Sequence, residues 1–150
     1  MLYFFQLDSN ICQIRLDYQT FQIQGPNLAA TGMAQCNLDS WTITGTNNMA
    51  PNTPVISAND NPPVICGLAT NQHIYMDVGG TNNANIQIAY SGTGSTYNRR
   101  WNVKVSQIPC GVDYAPPMGC GQYLMGVSGN VKSFNFDVSS ANEVSLKPRL

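Results

Sequence analysis

One run of sequence near the amino terminus alternates apolar and polar residues in the manner of a half-buried β-strand. The letters from Asn10 to Asn27 are NICQIRLDYQTFQIQGPN. The apolar residues of one parity, which a strand places on one face, are Cys12, Ile14, Leu16 and Tyr18. After Thr20 the apolar residues Phe21 and Ile23 change parity, so the strand either bulges near Thr20 or ends there. The pattern predicts a bent strand with one buried face.

Four later runs show the same alternation and are separated by segments rich in Gly, Asn and Pro. Their apolar positions are Trp41 and Ile43 in LDSWTIT, Ile74, Met76 and Val78 in HIYMDV, Ile86, Ile88 and Tyr90 in NIQIAY, and Trp101, Val103 and Val105 in RWNVKVSQI. Good helix formers are scarce, since Glu143 is the only glutamate. The segments GGTNNAN and SGTGSTYNRR are typical of connections between antiparallel strands. We therefore predict an all-β domain, an antiparallel β-sandwich or jelly roll.

Composition limits both the size of the core and the class of partner. A chain of 150 residues that is 43% hydrophobic suits one domain of common size. Only 10% of the residues are charged and the net charge is −1, which argues against long-range steering toward nucleic acid. The sequence has no run of about 18 apolar residues, so no transmembrane helix is predicted.

The five cysteines suit an oxidising compartment, and we expect the protein to be secreted and extracellular. The first ten residues lack the basic region and cleavage site of a signal peptide, and we interpret Met1 as a truncation point. Cys110 and Cys120 bracket the turn-rich segment GVDYAPPMG, which can bring its ends close enough for a disulfide. A local bond between these two cysteines is predicted.

Several motifs, in order, resemble those of CUB domains. CNLDSWTITG resembles the C-x-Y-D-x-x-x-I signature of that family, and VICGLATNQHIYMDV resembles its YCG strand. CQIRLDYQTFQIQGP and GCGQYLMGVSGNVKSFNF are most similar to CUB-like proteins of arthropods. The resemblance spans Ile11 to Asp137 and implies a CUB-type jelly roll whose first strands are missing. It divides the chain into a CUB-like domain over residues 1–108 and, over residues 109–150, a connector with the incomplete start of a second unit.

The resemblance implies a second disulfide and leaves one cysteine over. Cys36 and Cys66 bracket a long Asn- and Pro-rich loop, and CUB domains join the corresponding positions. Cys12 resembles the second member of a disulfide whose first cysteine lies upstream, and the alternative is a buried free thiol. With its partner absent, Cys12 is expected to link two chains into a dimer under mild oxidation.

Many CUB domains bind calcium through three acidic side chains, and this sequence keeps one of them. Asp39 matches the pattern, whereas Gln24 stands in place of a glutamate and Gly92 in place of an aspartate. Calcium takes six to eight oxygen ligands, with carboxylates supplying the charge. Asp17 or Asp77 compensates only if the fold brings it close. We therefore predict a degenerate site and no bound cofactor, with Asp39 serving otherwise to cap a turn.

The function that the resemblance implies is a noncatalytic extracellular module that binds protein or carbohydrate. The alternatives are an accessory arm of a secreted serine protease and a lectin-like glycan binder. His73, the only histidine, would have to stand at the centre of any Ser-His-Asp arrangement, and its place at the head of a strand favours a rim residue. Arg99 and Arg100 are the predicted contact residues, because Trp101 alternates with the apolar face.

Overall fold

Six antiparallel β-strands form the regular structure of the computed structural model, which describes residues 2–6, 8–26, 36–44, 64–78, 83–90, 98–117 and 120–136. The strands are β1 (Leu2–Gln6), β2 (Ile11–Gln22), β3 (Ser40–Thr44), β4 (Gln72–Asp77), β5 (Asn83–Ala89) and β6 (Arg100–Pro109). These ranges contain no helix, so the prediction of an all-β chain with antiparallel strands is confirmed.

The strands form two three-stranded sheets, in the orders β1-β5-β3 and β4-β2-β6. Strand β2 lies at the centre of its sheet and pairs with β4 on one side and β6 on the other. Of its alternating apolar residues, Ile14, Leu16 and Tyr18 are fully buried, as the sequence predicts, whereas Cys12 is half-buried. Ile86 and Ile88 of β5 are buried in the other sheet. The apolar faces of both sheets contribute to one core. This arrangement agrees with a sandwich.

The bulge predicted near Thr20 is present. The register of β2 against β6 shifts between Tyr18 and Thr20, while the strand continues to Gln22. Because of this shift, the apolar side chains after Thr20 face the core again, and Phe21 and Ile23 are both fully buried. A change of parity in the sequence is therefore a change of register in the sheet.

Four aromatic rings pack edge to face between the two sheets. Trp41 of β3 lies 6.0 Å from Tyr18 and 5.3 Å from Phe21, measured between ring centroids. Trp101 of β6 approaches the same indole at 5.5 Å and is half-buried. Edge-to-face pairs of this kind add to the stabilisation from burial alone. This aromatic cluster holds the ends of β2, β3 and β6 together, beside the candidate site.

The disulfide between Cys36 and Cys66 is confirmed, with Cα atoms 5.6 Å apart. Ile65 forms a bridge with Trp41 of β3, and the amide of each donates to the carbonyl of the other. That bridge brings Cys66 beside the chain that leads into β3, where Cys36 lies.

The predicted pairing of the other cysteines is wrong, because Cys12 is bonded to Cys110. The two lie at adjacent ends of β2 and β6, and the Cys110 amide donates to the carbonyl of Asn10 at 2.9 Å. Cys12 is thus neither a free thiol nor half of a lost pair, and the thiol on which the expected dimer depended is not available.

Cys120 is the cysteine left without a disulfide. By Gly121 the chain lies beside β4, at the opposite edge of the sheet from β6, where the Gly121 carbonyl accepts a hydrogen bond from the Tyr75 amide at 2.8 Å. Cys120 therefore lies near β4, whereas Cys110 lies directly after the end of β6.

Residues 120–136, which are predicted to begin a second CUB-like unit, contain no strand. They dock beside β4 and the turn that precedes it. Asn135 is buried, and its amide donates to the Leu68 carbonyl at 2.8 Å while its side chain accepts from the Leu68 amide. Gly67 is required there, since an added Cβ would collide with the Asn135 side chain. The second unit stays a prediction, and its remainder, residues 137–150, lies outside the described residues.

Candidate functional site

Arg99 and Asp39 form an ion pair where three strands end. Asp39 precedes β3, Arg99 precedes β6, and Gln24 follows β2. Arg99 Nε lies 2.6 Å from Asp39 Oδ2, and Arg99 Nη2 lies 3.1 Å from Asp39 Oδ1, so the guanidinium binds the carboxylate with two parallel hydrogen bonds. Nη2 also donates to Gln24 Oε1 at 3.2 Å. One side chain thus joins residues from three segments.

The carboxylate of Asp39 is fully buried, with 0% exposure, while the Arg99 side chain is 20% exposed. The Gln24 backbone amide donates to Asp39 Oδ2 at 2.8 Å, which gives that oxygen a second donor. The hydrogen bond to Asp39 raises the pKa of Arg99 above its ordinary value, so the guanidinium stays charged. A carboxylate removed from water requires such a counter-charge.

The predicted calcium ligands do come together in part, but they do not fit a calcium ion. Gln24 and Asp39 are adjacent, and the guanidinium of Arg99 already contacts both. They offer one carboxylate, whereas calcium favours several. Asp17 binds Arg15 and Asp77 accepts from Gln13. Among the described ranges no group of three His, Cys, Asp or Glu side chains could hold a metal ion, and Gly92 lies outside them.

Tyr90 differs from its prediction as a residue of the buried face. Strand β5 ends at Ala89, and the Tyr90 side chain is 43% exposed. It is nevertheless held in place, because its hydroxyl accepts a hydrogen bond from Trp101 Nε1 at 3.0 Å. The Arg99 guanidinium lies over its ring, 5.5 Å from the centroid. An exposed aromatic ring is therefore fixed from two sides.

Arg100 is exposed at the first position of β6 and pairs with the last residue of β2. Its Nε donates to Gln22 Oε1 at 3.2 Å. We refer to Gln22, Gln24, Tyr90, Arg99 and Arg100 as the arginine rim. Both arginines were predicted to be contact residues, which stays a prediction, and the sequence did not single out Tyr90 or Gln22. The signal at Tyr90 was its place before Ser91 and Gly92, residue types that favour turns, where a strand is expected to end.

His73 lies at the other edge of the same sheet and is engaged by the chain itself. Its Nε2 atom is 3.1 Å from the carbonyl oxygen and 3.3 Å from the amide nitrogen of Tyr123, so it donates to one or accepts from the other according to its tautomer. Partial burial lowers the pKa of His73, and the charge of Arg15 lowers it further, against opposing effects of Asp17 and the Tyr123 carbonyl. His73 acts here as a docking contact for the segment beyond β6.

A second ion pair lies beside His73 on the outer face of the sheet. Arg15 Nη2 is 2.6 Å from Asp17 Oδ1, and the two side chains are 33% and 27% exposed. Arg15 Nη1 also donates to the hydroxyl of Tyr75 at 2.6 Å, with its guanidinium 5.1 Å from the ring centroid. Arg15 thus covers the buried Tyr75, while both members of the ion pair stay partly exposed to solvent.

Comparison with protein-family models, with curated proteins and with solved structures found no match to this chain. In the described part of the chain no helix is both long and apolar enough to cross a membrane. The chain carries two intramolecular disulfides, which are compatible with an extracellular location.

Proposed function

We propose that this chain is a noncatalytic, extracellular binding module of the CUB type that recognises a protein ligand through the arginine rim. The observation that carries the proposal is Tyr90, a ring that is 43% exposed and yet fixed by Trp101 and Arg99. Tyrosine and arginine dominate the binding energy of protein interfaces. A ring that is already immobile loses little conformational entropy when a partner covers it.

Three further features support this assignment. The disulfide between Cys36 and Cys66 is the one that the CUB resemblance implies. Exposed Arg100 supplies a planar donor group beside the ring, suited to carboxylates and carbonyl oxygens of a partner. His73, which any Ser-His-Asp arrangement would require, is engaged by the Tyr123 backbone. The arrangement therefore favours recognition over catalysis.

A glycan is the second candidate ligand, and the same tyrosine favours it. The exposed face of Tyr90 could pack against the apolar face of a sugar ring, while Arg100 and the Gln22 amide offer hydrogen-bonding groups to hydroxyls. Neither candidate needs a metal ion at the rim.

The test is to probe an array of extracellular proteins and an array of glycans with the purified chain. Tyr90→Ala and Arg100→Ala should each weaken binding by roughly 10- to 100-fold, the loss typical of a central contact residue. Tyr90→Phe keeps the ring and should bind nearly as the original chain does. Lys104→Ala, at another exposed position of β6, is the matched control.

The outcomes separate the candidates. A ligand on the protein array that Tyr90→Ala loses supports the proposal, and one on the glycan array alone supports the second candidate. A ligand bound equally by Tyr90→Ala, Arg100→Ala and Lys104→Ala would place the binding surface elsewhere and refute the role of the rim.

A further inference from the structure

The contact between Arg99, Asp39 and Gln24 resembles a metal site in its connectivity. Two oxygen-bearing side chains from separate segments, Asp39 and Gln24, are directed at one cation, and one of them is a buried carboxylate that needs a counter-charge. Here the cation is the guanidinium, which binds both oxygens of Asp39 and the side-chain oxygen of Gln24. The Gln24 backbone amide adds a fourth hydrogen bond.

A guanidinium and a calcium ion satisfy oxygen ligands in different ways. Calcium carries two charges and collects six to eight oxygens around a point. Arginine carries one charge in a plane and directs its N–H groups in a fork that matches a single carboxylate. The one carboxylate of Asp39 and the one neutral amide of Gln24 therefore suit an arginine better than a calcium ion. A calcium ion approaching Asp39 would also meet the positive charge of Arg99 at the same oxygens.

We propose that Arg99 is a built-in cation, whose guanidinium fastens the ends of β2, β3 and β6 at Asp39 and Gln24 and makes this end of the sandwich independent of calcium. The role does not depend on what the rim binds. It also explains why the neighbouring arginines differ, since Arg99 is turned inward to a buried carboxylate while Arg100 stays exposed beside Gln22.

The first experiment measures the melting temperature, Tm, of the unmodified chain in excess EDTA and in millimolar calcium. We expect no difference, and no heat of calcium binding by isothermal titration calorimetry. A bound calcium ion would stabilise the folded state by mass action and raise Tm by several degrees. A rise of that kind, reversed by EDTA, would overturn the proposal.

The second experiment removes the built-in cation. Arg99→Ala should lower Tm by roughly 10 °C, because it leaves a buried carboxylate without its counter-charge. Methylguanidinium at millimolar concentration should restore part of that loss by occupying the vacated position. Arg100→Ala is the matched control, for which we expect little change in Tm and no response to methylguanidinium.

A third variant keeps the test decisive if Arg99→Ala does not fold. Arg99→Lys retains the charge but cannot form two parallel hydrogen bonds, so its Tm should lie below that of Arg100→Ala, and above that of Arg99→Ala where that variant folds. An Arg99→Lys variant as stable as Arg100→Ala would overturn the proposal. So would a folded Arg99→Ala that methylguanidinium does not stabilise more than it stabilises the control.

Discussion

Two ion pairs in the described part of the chain have the same shortest distance and opposite surroundings. Arg99 and Asp39 approach to 2.6 Å with the carboxylate fully buried, and Arg15 and Asp17 approach to 2.6 Å with both side chains about one-third exposed. In the first pair the protein replaces the water that the carboxylate has lost. In the second, water still solvates both charges. Distance alone therefore says little about what an ion pair contributes, and desolvation decides it.

The two ion pairs also differ in how far apart their members lie in the sequence. Arg15 and Asp17 are alternate residues of β2, so they share a face of one strand and would meet wherever that strand forms. Arg99 and Asp39 are far apart in sequence and meet only when β3 and β6 come together. The exposed pair is thus local to a strand, whereas the buried pair depends on the assembled sandwich.

The largest expected effect is that of Asp39→Asn. The substitution keeps the shape of the side chain but removes its charge, so Arg99 loses its partner inside the protein. We expect Tm to fall by roughly 10 °C, in the range found when one member of a buried pair is removed. Differential scanning calorimetry measures it. A change as small as that of Asp17→Asn would mean that the burial of the carboxylate does not matter.

A smaller effect is expected for Arg15→Ala. The variant loses the hydrogen bond to the Tyr75 hydroxyl and the cation above its ring, in addition to Asp17. Because the guanidinium is partly solvated, the free energy of unfolding should fall by about 1 kcal/mol, as measured by urea denaturation. Asp17→Asn should cost less, since the contact of Arg15 with Tyr75 survives. Gln19→Ala, at an exposed position of the same strand, serves as the control.

The stability of the fold should depend on pH through His73, whose pKa is affected by both members of the exposed ion pair, Arg15 and Asp17. Its pKa in the folded protein lies below the ordinary value of 6.5, chiefly because of burial and then because of Arg15. The folded protein binds this proton less tightly than the unfolded chain. The contribution of His73 is therefore present above pH 6.5 and is lost as the pH falls through the folded-state pKa. Urea denaturation at several pH values measures this slope, which His73→Gln should remove.

The same histidine allows a direct measurement, because it is the only one in the chain. Its imidazole signals can be followed by NMR titration without assignment of other residues. Arg15→Gln should raise the pKa of His73 and Asp17→Asn should lower it, since the two charges act on it in opposite directions. A pKa above 6.5 in the unmodified chain would contradict the half-buried environment.

The smallest expected effect is that of salt. The coupling between Arg15 and Asp17, measured by a double-mutant cycle, should be at most about 1 kcal/mol and should shrink toward zero near 1 M NaCl. The coupling between Arg99 and Asp39 should change much less, because little water or salt reaches the buried carboxylate. Equal salt dependence of the two couplings would show that the buried pair is solvated after all.

Much of the fold was predictable because alternation is a local property of a strand. The parity of residues from Cys12 to Tyr18 identified the buried face of β2, and the change of parity after Thr20 located the bulge. Tyr90 was misplaced since a strand end is marked less clearly than a strand interior. The resemblance to the CUB signature predicted the bond between Cys36 and Cys66, which bracket a single loop.

The sequence by itself determined most of the residues that face the core and that the strands are antiparallel. Only the tertiary structure decided which distant residues meet. Cys110 bonds to Cys12 and not to Cys120, because β2 and β6 are neighbours in the sheet. Cys120 lies next to Gly121, which contacts β4 at the opposite edge. Asp39 receives Arg99 for the same reason, as each stands just before a strand that the fold brings into place. Side-chain parity repeats every two residues and can be read locally, whereas strand order depends on the packing of the whole chain.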